Sequence, residues 1–183
     1  MRCTWTRALL ALLVGCGGGA SSTRATEFLP TDDVLFDEGM DLVDDPVIIE
    51  GEWIGHFEQR VDRADLIVEV QIESLSSDVD LDRRASYRLN ARVRDQIKGK
   101  RSDALLLRVS DRQRGYDSIR ANEDRLLRDP FVAFVKWQAD EITGKVEPRW
   151  HLSPASQGVK KKIAQLMRPP VGESHTEVEV IRP

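Results

Sequence analysis

The sequence predicts a mainly β domain. Five short strands close into a small barrel, with a short helix before the fourth strand and an amphipathic helix at the C-terminal end. Three observations carry this expectation. Two segments alternate apolar and polar residues with period two. A third, Phe131 to Trp137, is an almost unbroken apolar run. Val159, Ile163, Leu166 and Met167 then recur at helical spacing. Closure is the economical answer to unpaired strand edges in so small a sheet.

In the first strand Leu66, Val68, Val70 and Ile72 share one face, and Ile67, Glu69, Gln71 and Glu73 the other. In the second, Tyr87, Leu89, Ala91 and Val93 alternate with Arg88, Asn90, Arg92 and Arg94. The polar stretch Ser76 to Arg84 joins them as a long hairpin loop, and Glu69 and Glu73 then face arginines across the pair. Lys98-Gly99-Lys100 turns the chain into a third strand, Ala104 to Ser110, with Leu105, Leu107 and Val109 inward. Asn122 to Arg128 reads as a short helix ended by Asp129-Pro130, since the residue before proline is pushed out of helical geometry. The run Phe131 to Trp137 is a strand covered on both faces. Pro148 restricts the fifth strand, Val146 to Leu152, to an edge or a bulge. The C-terminal helix is expected to start at Ser153 as cap and Pro154 as first residue, and to stop at Pro169-Pro170. Thr176 to Ile181 alternates once more, as a late edge strand or a tail.

The N-terminus reads as an export signal. Arg2 and Arg7 precede an apolar run, Ala8 to Val14, too short to span a bilayer. Leu13-Val14-Gly15-Cys16 resembles the lipobox of bacterial lipoproteins. That resemblance implies a signal peptide over residues 1–15, cleavage before Cys16, lipidation of Cys16 and attachment to a membrane through acyl chains, each buried methylene contributing about 0.8 kcal/mol. Gly17 stands where an Asp would favour retention at the inner membrane, so the resemblance leans to the outer membrane. The expected organisation is a flexible acidic tether over 16–52, interrupted by Leu35-Phe36 and Val47-Ile48-Ile49 as segments able to dock on the domain, a barrel domain with its helix over 53–168, and a tail over 169–183. With Cys16 lipidated and Cys3 removed, no disulfide, thiol nucleophile or cysteine zinc site remains.

Charge divides the mature chain. Residues 17–52 hold ten acids against the single base Arg24, whereas residues 53–168 hold 23 bases against 18 acids. The simplest consequences are solubility or association of tether with body; the sharper one is an anionic partner for which the tether competes.

The order Ala64 to Val68, Tyr87 to Val93 running on to Ile97-Lys98-Gly99, Leu105 to Val109 and Phe131 to Val135 resembles an oligonucleotide/oligosaccharide-binding (OB) barrel, closest to netrin-like modules and tissue inhibitors of metalloproteinases. The likeness spans Ala64 to Trp137. The cysteine framework of those inhibitors is absent, so no functional residue and no inhibitory activity is carried over.

Few residues suggest chemistry. Asp78, Asp80 and Asp82 imitate the opening of a calcium loop, but Arg83 and Leu89 stand where glycine and a bidentate Glu are required. His56, His151 and His175 lack helical metal-pair spacing, and there is neither a nucleophile elbow nor a glycine-rich phosphate loop. Trp53, Tyr116, Trp137 and Trp150 belong to the core or line a groove; Trp150, between Arg149 and His151 on the weak fifth strand, is the expected ligand contact. The sequence therefore points to a lipid-anchored envelope protein with a protein partner, acting as a non-catalytic interaction or accessory module without metal or cofactor. The alternatives are a lipoprotein binding anionic envelope polymers or peptides, and a metal-dependent hydrolase built on His56, His151 and the Asp78 cluster. Nucleic acid is not an expected partner, because the chain is exported and acidic overall.

Overall fold

The computed structural model describes residues 27–43, 52–139 and 144–168, with side chains from residue 56 onward in the second of these segments. The lipobox and signal, the region 169–183 with its expected late strand, and the Trp53 side chain lie outside the described residues. Eleven elements follow in order among the described residues: α1 (Asp32–Leu35), β1 (Gly39–Met40), α2 (Glu52–Arg63), β2 (Leu66–Val79), β3 (Ala85–Lys98), β4 (Ala104–Ser110), α3 (Tyr116–Arg120), α4 (Glu123–Arg128), β5 (Pro130–Ala139), β6 (Val146–Pro154) and α5 (Gln157–Leu166).

The fold is mainly β, as expected, but the sheet has six strands rather than five and its ladder does not close. The order is β1-β6-β5-β2-β3-β4, antiparallel except for the parallel β1–β6 pair. The sheet is strongly curled. β4 and β6, separated by three strands in that order, contribute Leu107, Trp150 and Leu152 to one apolar cluster. Three register shifts between β2 and β3 supply irregularity of the kind that increases local twist.

Each face of the sheet has a core. Leu66, Val68, Val70 and Ile72 of β2 join Leu89, Leu107, Val135 and Trp150 inside the curl, closed by Ile119 of α3 and Leu126 of α4. On the other face Ile67, Val132 and Phe134 meet Phe57 and Val61 of α2, Val159 and Ile163 of α5, and Leu35 and Phe36. The apolar run of β5 therefore is covered on both sides, with Phe131, Ala133 and Val135 in one core and Val132 and Phe134 in the other.

Several boundaries depart from the sequence expectation. The β2–β3 ladder continues to Val79↔Ala85, well into the expected loop. Polar cross-strand pairs carry it there: Asn90 donates to Ser74 Oγ at 2.8 Å, and Arg88 pairs with Asp78. The turn is only Asp80 to Arg84, with Arg83 left-handed at φ 63° and Asp80 Oδ1 accepting from Arg84 N–H. The C-terminal helix starts later than expected. Ser156 caps it by accepting from Val159 N–H, while Ser153 and Pro154 belong to β6.

The largest difference concerns the expected tether. Residues 27–43 are folded onto the body: α1 packs on α2, β1 pairs with β6, and Leu35 and Phe36 are fully buried. The acids of this segment meet the body's bases. Asp32 is held by Arg63 at 2.6 Å, and Asp33 and Glu38 by Arg149. Association of acidic segment with basic body, the simpler of the two electrostatic expectations, describes these contacts.

Candidate functional site

The segment Asp37-Glu38-Gly39-Met40-Asp41 turns into β1 beside His151. Asp37 Oδ1 accepts from the N–H of Gly39, and Glu38 takes the left-handed φ of 56°. A close crossing fixes the turn. A Cβ on Gly115 would lie 2.1 Å from Gly39 N, and one on Gly39 2.9 Å from Gly115 Cα. Gly115 N–H in turn donates to Asp37 O at 2.9 Å.

This turn places two carboxylates on opposite nitrogens of one imidazole. His151 Nδ1 lies 2.7 Å from Asp37 Oδ1, and Nε2 lies 3.0 Å from Asp41 Oδ1. Both carboxylates are acceptors, so the ring bridges them fully only with an N–H on each nitrogen. Ser153 donates to Asp41 Oδ2 at 2.5 Å, and Arg60 Nη1 stands 3.8 Å from the same oxygen. Burial alone would raise the Asp41 carboxyl; His151, Arg60 and Ser153 outweigh it and hold it at about 2. Burial likewise works against the Asp37 charge, and His151 brings that carboxyl below its ordinary value. Burial pushes Glu38 up to about 8, against the pull of Arg149.

The chemistry of this cluster is that of a clasp. The Ser153 hydroxyl is directed at Asp41 rather than at the imidazole, and His151 is only 5 % exposed with both nitrogens engaged. A serine nucleophile needs a base on its own hydroxyl. The cluster instead ties β1 to β6 and to Arg60 of α2.

Beside the clasp lies an open groove of about 1110 Å³ along the seam between β4 and the first half of β6. Leu106, Arg108, Trp137, Pro148, Arg149 and Glu38 are among its walls. Strand edges are usual sites for strand addition, but here both are blunted. Val93 N–H donates to Asp103 O and Asp111 N–H to Ala85 O, so the odd-numbered residues of β4 face β3 and the even-numbered ones face the seam. Ser102 Oγ donates to Ala104 O at 2.8 Å, Trp150 Nε1 to Arg108 O at 3.0 Å, and Ser110 N–H to Gln113 Oε1 at 2.6 Å. On the opposite wall Pro148 has no N–H to offer.

Of the residues expected to touch a ligand, Arg149 alone lines the groove and is partly exposed. Trp150 is fully buried and His151 nearly so, because β1 covers the half of β6 that carries them. They serve the core and the clasp. Tyr116 stacks at 5.5 Å on Tyr87, and Trp137 is the expected aromatic that lines the groove. The aspartates of the hairpin are used locally: Asp78 with Arg88, Asp80 in the turn, and Asp82 with Arg84 at 3.7 Å. His56 sits half-buried on α2, and His175 and Cys16 lie outside the described residues. Among the described residues no three His, Cys, Asp or Glu side chains are grouped to hold a metal ion, and no helix is long and apolar enough to cross a membrane. The clasp acids were missed because they lie in a segment whose composition reads as tether; α2 was missed although Phe57 and Val61 stand one helical turn apart.

Comparison with protein-family models, with curated proteins and with solved structures returned no match.

Proposed function

We propose that this chain is a lipid-anchored protein of the bacterial cell envelope whose folded body is a non-catalytic interaction module, moored through Cys16, with the outer membrane favoured. The observation that carries the interaction reading is the seam groove: a long, open, mixed polar and apolar channel whose β4 edge is capped in part by Ser102, Trp150 and Gln113 and whose β6 wall carries Pro148. Such a channel offers side-chain recognition while suppressing unspecific strand addition. The buried Asp-His-Asp clasp supports the non-catalytic reading, since both nitrogens of His151 and the Ser153 hydroxyl are taken up by its carboxylates. The netrin-like resemblance belongs to the same proposal, as a barrel left open along one seam.

Two measurements test it. Mass spectrometry of the native protein should find a diacylglyceryl thioether on Cys16, and Cys16→Ser should leave an unlipidated precursor; normal acyl labelling and membrane recovery of that variant would refute the anchor. Photo-crosslinking in intact cells from the groove position Ala139 should give one discrete protein adduct. No adduct above that from a residue outside the groove, such as Lys161, would refute the interaction module.

A further inference from the structure

Resting on the interaction reading above, we infer that β4 and its flanking turns form a basic rail that docks an acidic, extended segment of the partner protein, with Leu106 as the apolar contact at its centre. Residues 100–114 carry five bases, Lys100, Arg101, Arg108, Arg112 and Arg114, against Asp103 and Asp111. All five bases are exposed. Among the described residues no ion pair involves Arg108, Arg112 or Arg114; Arg101 reaches Asp103 only at 3.7 Å, with both side chains in open solvent. Seven strand residues span roughly 23 Å, so the rail has cations at both ends and in the middle.

The centre is organised. Arg108 stands directly opposite Arg88 in the ladder, and Asn90 opposite Leu106. Like charges facing each other across strands cost stability. Asp78 answers Arg88 alone, and Glu73 answers Arg92 at 3.0 Å. An incoming carboxylate beside Arg108 relieves that repulsion. Leu106 is 44 % exposed on the same face and lies on the groove wall. This apolar spot within a cationic frame selects an extended peptide whose acidic and apolar side chains follow one another at every second residue, on one face, over a uniformly charged polymer. Ser102, Trp150 and Gln113 occupy the β4 edge on both sides of Leu106, so selection works chiefly through side chains, with Leu106 contributing area and the arginines charge.

The test uses the full-length protein in detergent and fluorescence anisotropy. The probe is a labelled ten-residue Glu-Leu peptide in which Glu and Leu take turns at every second position with Ser between them; the corresponding Lys-Leu peptide and polyphosphate are comparators. The Glu-Leu peptide should bind, more weakly as salt rises. Reversing R108E, R112E and R114E together should weaken it by about tenfold or more, and Leu106→Ser by about threefold. Each substituted side chain is exposed, and an unchanged melting profile verifies the fold of each variant. Absence of Glu-Leu binding, equal binding to the triple reversal, or polyphosphate binding as tight as the peptide with no effect of Leu106→Ser would each overturn the rail. If the Ala139 crosslinked adduct persists unchanged in the triple reversal, the interaction module stands and the rail is refuted. If that adduct is absent while the peptide still discriminates, the rail stands as a binding surface and the module reading fails.

Discussion

The indole Nε1 of Trp150 donates to the main-chain carbonyl of Arg108 at 3.0 Å, joining β6 to β4 across the open seam of the sheet. A closed barrel would satisfy such edge carbonyls with a ladder; here one side chain does so while its ring fills the core. Trp150→Phe keeps much of the apolar volume and removes the donor. It should destabilise the protein by about 1–3 kcal/mol, through an unsatisfied carbonyl and a small void. Urea unfolding measures this. A loss within about 0.5 kcal/mol would mean that the indole N–H is unimportant to the seam.

Trp150 also marks how far sequence reasoning reaches. The alternation in β2, β3 and β4 gave both their existence and their inward faces, because period two survives in any half-buried strand. The two-sided burial of β5 was legible for the opposite reason: Phe131 to Trp137 is an almost unbroken apolar run with no polar face. The curl was not, since a strand's own pattern does not say whether its sheet meets itself. Trp150, flanked by Arg149 and His151, has the local context of a surface aromatic; it is interior because β1, only two residues long, lies across that half of β6. Nothing in Asp37 to Asp41 alone reveals that its carboxylates match His151, more than a hundred residues away. The charge imbalance between the halves and the apolar pair Leu35-Phe36 were the visible signals, and they identified the attraction without the geometry.

His151 holds two carboxylates apart, so its removal should be costly. His151→Phe takes from Asp41, 8 % exposed, the imidazole on its Oδ1, while Ser153 and the more distant Arg60 stay on Oδ2. Breaking a buried charged pair from one side costs about 3–5 kcal/mol. Asp41→Asn in the His151→Phe background should recover part of that loss, giving a coupling of about 1–3 kcal/mol in a double-mutant cycle. The same clasp sets the acid limit. The folded Asp41 carboxyl titrates at about 2, below its ordinary 3.8. Its contribution is therefore present above about pH 4 and is lost as pH falls through about 2, a change of about 2 kcal/mol. Asp41→Asn should flatten that part of the profile; an unchanged acid transition would place the sensitivity elsewhere.

Glu38 predicts the opposite slope. Burial raises its carboxyl from 4.5 to about 8 despite Arg149. A raised folded value means the native state binds the proton more tightly than the unfolded chain. Stability from this group is full below about pH 4.5 and declines as pH climbs through about 8. Glu38→Gln mimics the protonated side chain, so its stability should fall less than that of the parent between pH 5 and pH 9. Guanidinium midpoints across that range decide the point; parallel curves would show that Arg149 keeps Glu38 ionised throughout.

The crossing of Gly39 and Gly115 gives the last prediction. Gly115 has an ordinary helical backbone, so its need for glycine is one of space alone: an added Cβ would sit 2.1 Å from Gly39 N. Neither main chain can yield without disturbing the Gly115 N–H bond to Asp37 O and the clasp beyond it. Gly115→Ala should detach residues 37–41 from β6 while the inner core of β2 to β5 persists. The expected signature is new protease cleavage between Glu27 and Val43, together with a destabilisation of about 2–4 kcal/mol. Gly144→Ala is the reference. That glycine is left-handed at φ 65° with nothing within 4 Å of a new Cβ, so it should cost only about 1 kcal/mol and leave the cleavage pattern unchanged. Equal effects at the two positions would mean that the crossing of the two main chains gives way to an added Cβ at little cost.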